Sequence, residues 1–267
     1  MTVLQSGKVQ TRHALVQYFQ GGNGPELVFL HGHAGLAPDS PFLQALAEKF
    51  HVTAPLLPGY GDSEDAAGVR DMLDVTLHTY DVLDALRLSR PILAGHSLGG
   101  MIAAEMAAVA PNEVDRLCLI ASAGLWLDDH PSPDLFSLLP RELPALLFHD
   151  VEAGTKLLTA NVDISDPAFL LPFLVNNARQ LGMAGKLLFP IPERGLKDRL
   201  YRVKARTVLV WGDSDRMYPA PYAHAFKAAI AGAELVSVPD AGHMVILEQT
   251  GAVVAAIERL AGQASLD

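Results

Sequence analysis

The chain has one cysteine, Cys118, among its 267 residues, so an internal disulfide is excluded. The surrounding "RLCLIAS" is apolar, which places the thiol in a buried strand rather than at a reactive site, and this usage fits a reducing cytoplasm. Long apolar runs are also missing. None approaches the roughly 18 residues needed to cross a bilayer, so no membrane span is expected. The opening "MTVLQSGKVQTRHALVQYF" lacks the apolar core of a secretory signal; its alternation of polar and apolar residues reads as the first strands of a fold. Basic patches are absent, and a formal net charge of -10 argues against a nucleic-acid partner; its expected role is solubility. No internal repeat and no low-complexity tract interrupts the chain.

What is present is half apolar and about one-fifth charged, the balance of a globule with a large core. Short apolar runs alternate with amphipathic or small-residue stretches, the pattern of strands and crossover helices around a mostly parallel central sheet. Strands are expected at 26–31, 51–56, 91–95, 116–122, 207–212 and 234–239, and their near-continuous apolar character suits strands covered on both faces. Helices are expected at 41–49, 70–88, 98–110, 219–230 and 247–262. The alternation fails between Trp126 and Val203, a Pro-, Leu- and Phe-rich stretch with no convincing strand. There Asp166 and Pro167 mark a helix start, Pro172 predicts a kink or split, and Gly182 a stop. The expected division is a core of residues 1–125 and 204–267 with a helical insertion at 126–203.

The stretch "PILAGHSLGGMIAAEMAAVAP" puts Ser97 between the end of an apolar strand and the start of a small-residue helix. A turn that tight holds the serine in a sparsely allowed conformation and leaves no room for side chains two residues to either side. Gly95 and Gly99 meet that need. The hydroxyl is thereby lifted above the sheet at the positive end of the next helix. G-x-S-x-G in a strand–turn–helix setting is a nucleophile elbow, and Ser97 is the candidate nucleophile.

With "HGHAG" at 31–35, "LLPGYGDS" at 56–63, "GHSLGG" at 95–100, "WGDSDRMYP" at 211–219 and "AGH" at 241–243, the sequence resembles the α/β-hydrolase superfamily over nearly the whole chain outside the insertion. The resemblance implies the α/β-hydrolase fold, no cofactor or metal, and a helical cap at the insertion, in the branch whose nucleophile is serine. A serine needs a base, and the base an orienting carboxylate; the family order is Ser, acid, His. His243, in the loop after the last expected strand, is the candidate base. Asp213 and Asp215 both follow "TVLVWG", and strand alternation cannot separate them. The family pattern of Gly-x-x-Asp followed by Pro selects Asp215, with Pro219 beyond it. The resemblance also implies an oxyanion hole built from the backbone N–H groups of Leu98 and His33. A metal pair at His31 and His33 is unpromising, because no third ligand follows at sensible spacing. "PGYGDS" is expected to be a structural loop without chemistry.

The expected activity is hydrolysis of a small-molecule carboxylic ester with an apolar part, through an acyl-enzyme. Leu125, Trp126, Phe136, Phe148, Phe169 and Phe173 are candidates either for the substrate pocket or for the cap's own core. The alternatives are a C–C hydrolase of aromatic meta-cleavage products, a lactonase, or a non-catalytic ligand-binding protein on the same fold. Against the C–C reading, His96 and Met244 stand where such enzymes usually have Asn and Trp. Arg179 is placed where a cap arginine would bind a substrate carboxylate. Oligomeric state is not legible.

Overall fold

The computed structural model describes residues 4–159 and 166–263; the first three residues of the expected first strand and residues 160–165 of the insertion lie outside the described residues. Eight strands form one sheet: β1 (Gln5–Gln10), β2 (Leu15–Gly21), β3 (Glu26–Leu30), β4 (His51–Pro55), β5 (Ile92–His96), β6 (Arg116–Ile120), β7 (Arg206–Gly212) and β8 (Glu234–Val238). Their spatial order is β1-β2-β4-β3-β5-β6-β7-β8. β2 runs antiparallel to β1 and β4, and every pairing from β4 to β8 is parallel. β3 to β8 fall on the six stretches that the apolar runs predict.

Parallel neighbours need crossovers, and helices supply them: α1 (Pro41–Ala47), α2 (Met72–Ala85) and α3 (Leu98–Val109) before β6. β7 and β8 are joined by α7 (Ala220–Ala229), and α8 (Val245–Glu248) and α9 (Thr250–Gly262) close the fold. The order of strands reverses between β4-β3 and β5-β6, so right-handed crossovers place α1 and α3 on opposite faces. α1 packs against α9 on one face, and α3 against α2 on the other. The central strands are therefore covered twice, and Leu27–Leu30, Leu93–His96 and Leu117–Ile120 are buried throughout. The predicted last helix is two, because the chain turns at Gln249 between α8 and α9.

Between β6 and β7 the described elements are all helical: three-residue 3₁₀ turns and α4 (Leu143–Leu147), α5 (Val151–Thr159) and α6 (Pro167–Leu188). α6 begins where the sequence marks a start, with the Asp166 carboxylate accepting the Ala168 N–H at 2.9 Å. It does not stop at Gly182, and Pro172 lies inside one continuous helix rather than splitting it. Gly182 faces open space without a positive φ, so nothing there requires a break. Burial of Met183, Ala184 and Leu187 carries the helix onward, tertiary packing overriding the glycine's weak propensity.

Candidate active site

Ser97 lies between β5 and α3 with φ 53° and ψ −115°, a conformation that L-residues rarely adopt. The turn is held by its own backbone: the Ser97 N–H donates to the Ile120 carbonyl at 3.0 Å, and the Ser97 carbonyl accepts from Ala123 at 3.1 Å. The flanking glycines are a steric requirement. A Cβ on Gly95 would lie 2.3 Å from the Gly99 carbonyl oxygen, and one on Gly99 would lie 2.0 Å from that of Leu30.

β5, β7 and β8 all end at the carboxyl edge of the sheet, where loops converge in open α/β folds. His243 arrives there in the loop after β8. Its Nε2 is 3.0 Å from the Ser97 Oγ, and its Nδ1 is 3.0 Å from an Asp215 carboxylate oxygen. A carboxylate can only accept, so Nδ1 carries the proton and Nε2 is left to accept from the Ser97 hydroxyl. The other Asp215 oxygen accepts the backbone N–H groups of Met217 and Tyr218, each at 2.9 Å. All three side chains are nearly sealed, with residue exposures of 4% for Ser97, 4% for Asp215 and 1% for His243. Asp213 is exposed and takes a hydrogen bond from Ser237 instead. The structure therefore brings Ser97, His243 and Asp215 together and leaves Asp213 out.

The "HGHAG" loop passes beside the elbow: a Cβ on Gly32 would lie 3.3 Å from that of Ser97. Among the described residues, neither the His33 nor the Leu98 N–H donates to a protein acceptor. The His31 ring is fully used, Nδ1–H donating to the Gly32 carbonyl at 2.7 Å and Nε2 accepting the Leu57 N–H at 3.1 Å. Burial pushes its pKa down to about 4, consistent with a neutral bracket between two loops. The His33 ring is also pushed down to about 4, by loss of water and then by His243 and His31.

Two side chains enter the site that the motifs did not assign. Tyr60, of the supposedly inert "PGYG", donates to the His33 carbonyl at 2.8 Å and, less closely, to the Gln180 carbonyl of α6 at 3.2 Å. His96 places its Nε2 2.8 Å from the His243 carbonyl oxygen. Only the unusual burial of polar residues beside known motif positions would have marked them, and burial is not written in a sequence.

The helical segment also holds the loop that carries His243. Leu147 accepts the Met244 N–H at 2.9 Å, and a Cβ on Gly242 would lie 2.8 Å from both the Leu147 oxygen and the His149 nitrogen. Phe148 and Leu125 are buried, whereas Phe169 and Phe173 stack on each other along α6, Phe173 exposed. Trp126 and Phe136 line a cavity of about 90 Å³ with Leu135, Leu188, Met217 and Tyr218. The Tyr218 ring lies 5.5 Å from that of His243, so this cavity adjoins the site. Arg179 has partners within the protein: its guanidinium donates to Asp65 at 3.0 Å and to the Ser63 carbonyl at 3.1 Å.

The fold is one built on a mostly parallel sheet covered on both faces. The sequence model of the alpha/beta hydrolase family matches residues 27–257, and the chain belongs to that family. It is similar to a pimeloyl-[acyl-carrier protein] methyl ester esterase of Nitrosomonas europaea, 30% identical, covering 85% of this chain and 91% of the relative. Lipase 1 of Psychrobacter immobilis is 25% identical, with 86% and 75% covered. Among solved structures, a 2-hydroxy-6-oxo-6-phenylhexa-2,4-dienoate hydrolase from Rhodococcus superposes with a TM-score of 0.79 at 20% identity, covering 98% of this chain and 100% of the other. That last likeness is one of fold. No described helix is long and apolar enough to cross a membrane.

Proposed function

We propose that the protein hydrolyses carboxylic esters of small molecules through an acyl-enzyme on Ser97. The observation that carries this reading is the single imidazole of His243 bridging the Ser97 hydroxyl and the Asp215 carboxylate, 3.0 Å on each side. Ser97 Oγ attacks the ester carbon as its proton passes to His243 Nε2, and Asp215 stabilises the imidazolium. The negative charge on the former carbonyl oxygen meets the N–H groups of His33 and Leu98, each such donor being worth about 10² to 10³ in rate. The intermediate collapses, and the alcohol leaves with the proton from His243. Water, deprotonated by the same imidazole, then releases the acid.

In this reading residues 126–203 act as a cap. Support comes from the Leu147–Met244 and Tyr60–Gln180 hydrogen bonds and the Arg179–Asp65 ion pair, all of which seat that segment on the loops around Ser97. The cavity beside Tyr218 has apolar walls at Trp126, Leu135, Phe136 and Leu188, with Ser132 and Asp134 also lining it, and those walls suit an apolar acyl or alcohol part. The 30% identical relative, a methyl ester esterase by name, supports ester over C–C cleavage. The test is hydrolysis of nitrophenyl esters of graded chain length beside one meta-cleavage product, with Ser97→Ala as control. Ester turnover lost in the variant supports the proposal; turnover equal in both proteins refutes it.

A further inference from the structure

We infer that His96 is a positioning residue that tethers the main chain of His243, so that one dipeptide, His96–Ser97, fixes the base from two sides. The inference rests on the ester-hydrolase reading of Ser97, His243 and Asp215.

Four observations carry it. The His96 ring nitrogen Nε2 lies 2.8 Å from the His243 carbonyl oxygen, and since a carbonyl only accepts, Nε2 is the protonated nitrogen. Both residues are sealed from water, His96 at 3% exposure and His243 at 1%, so neither partner has solvent to fall back on. The two rings are 5.1 Å apart, tilted by 42°, and the facing Nδ1 of His96 would stand 3.1 Å from a Cβ on Gly32, so the ring is wedged between the base loop and the "HGHAG" loop. Finally, His96 is the last residue of β5, paired in register with Ile120 of β6, so its anchor is the rigid sheet itself. Burial, and then the neighbouring His243, push its pKa down to about 3, which keeps the ring a neutral donor.

The geometry divides the labour on His243. Asp215 holds the ring through Nδ1, which sets its tautomer and tilt; His96 holds the backbone from which the ring hangs. Without the second hold, the Nε2–Oγ distance of 3.0 Å depends on a loop rather than on a strand. Misplacement by about 1 Å at a reacting group is enough to cost about 10²-fold in rate.

The test compares His96→Leu, which keeps volume and removes the donor, with His96→Gln, whose terminal amide reaches about as far as the ring's Nε2. On a nitrophenyl ester, His96→Leu is expected to lower kcat about 10- to 100-fold with KM within about threefold, and His96→Gln to restore kcat to within about threefold of wild type. Crystal structures should show the Ser97–His243 hydrogen bond lost in the leucine variant and kept in the glutamine variant. Should His96→Leu not fold, His96→Asn, whose amide stops short of the carbonyl, takes its place. Wild-type kcat in a folded donor-less variant, equal impairment of the glutamine variant, or an unmoved His243 in the leucine or asparagine crystal overturns the tether. If the wild type itself neither turns over esters nor reacts with a fluorophosphonate, the ester reading fails, and the crystal structures alone decide the tether.

Discussion

The Nε2 of His243 and the Oγ of Ser97 are 3.0 Å apart, although 146 positions separate them in the chain. The sheet makes the meeting: β5 delivers the serine and β8 the histidine to the same edge, and the hydrogen bond spans the gap between two loops. Ser97 holds its place at a φ of 53°, a backbone conformation that costs stability. Ser97→Ala is expected to lower ester turnover about 10⁴-fold or more without loss of fold. Ser97→Gly, which relieves the backbone, is expected to melt about 2–4 °C higher than the alanine variant, as followed by calorimetry.

Asp215 and Asp213 make the sharpest comparison between neighbours. Asp215→Asn leaves the shape but reverses the pattern of donors facing Nδ1, and kcat should fall about 10⁴-fold. Asp213→Asn, at an exposed residue held by Ser237, should keep kcat within about twofold. Steady-state kinetics of the two variants decide which carboxylate serves the base.

Arg179 ties α6 to the loop after β4 through Asp65, in an ion pair whose side chains are 31% and 71% exposed. Such a pair is worth about 1 kcal/mol at most. Arg179→Gln is therefore expected to leave KM for neutral esters within about twofold and to shift the melting temperature by no more than about 3 °C. A large rise in KM confined to substrates bearing a carboxylate would show that the guanidinium leaves Asp65 to bind them.

Acid should destabilise the fold through histidine rings kept neutral by burial, among them His31, His33 and His96. The pKa of His31 is pushed from 6.5 down to about 4, and that of His96 to about 3. Below pH 6.5 the unfolded chain binds protons that the folded chain refuses, so the stability these rings contribute is complete above 6.5 and drains away down to about 4 and 3. Each adds a slope on the order of 1 kcal/mol per pH unit. Denaturant melts between about pH 6 and pH 4 should show the decline, and His96→Gln should reduce the slope by one ring's share.

The parts of this molecule that a sequence makes legible are those where a residue type has no substitute. Gly95 and Gly99 are forced by contacts shorter than any side chain tolerates, and together with the apolar strand before them and the small-residue helix after them they mark Ser97. β3 to β7 were legible because strands covered on both faces are nearly continuously apolar, whereas the edge strand β8, exposed at Glu234 and Ser237, was carried by Leu235, Val236 and Val238. Local signals misled where packing outweighed them: Gly182 reads as a stop, but α6 continues because the residues after it are buried. Tyr60 and His96 were opaque for a different reason. Their partners are main-chain carbonyls, of His33, Gln180 and His243, and a backbone carbonyl leaves no mark on the residue type that supplies it.

The most direct measurement is intact-mass analysis, with peptide mapping, after exposure to a fluorophosphonate probe. The account predicts one adduct on the wild type, at Ser97, absent from Ser97→Ala and formed about 10³-fold or more slowly in His243→Ala. A wild type that stays unmodified, or an adduct that persists when Ser97 is removed, contradicts it.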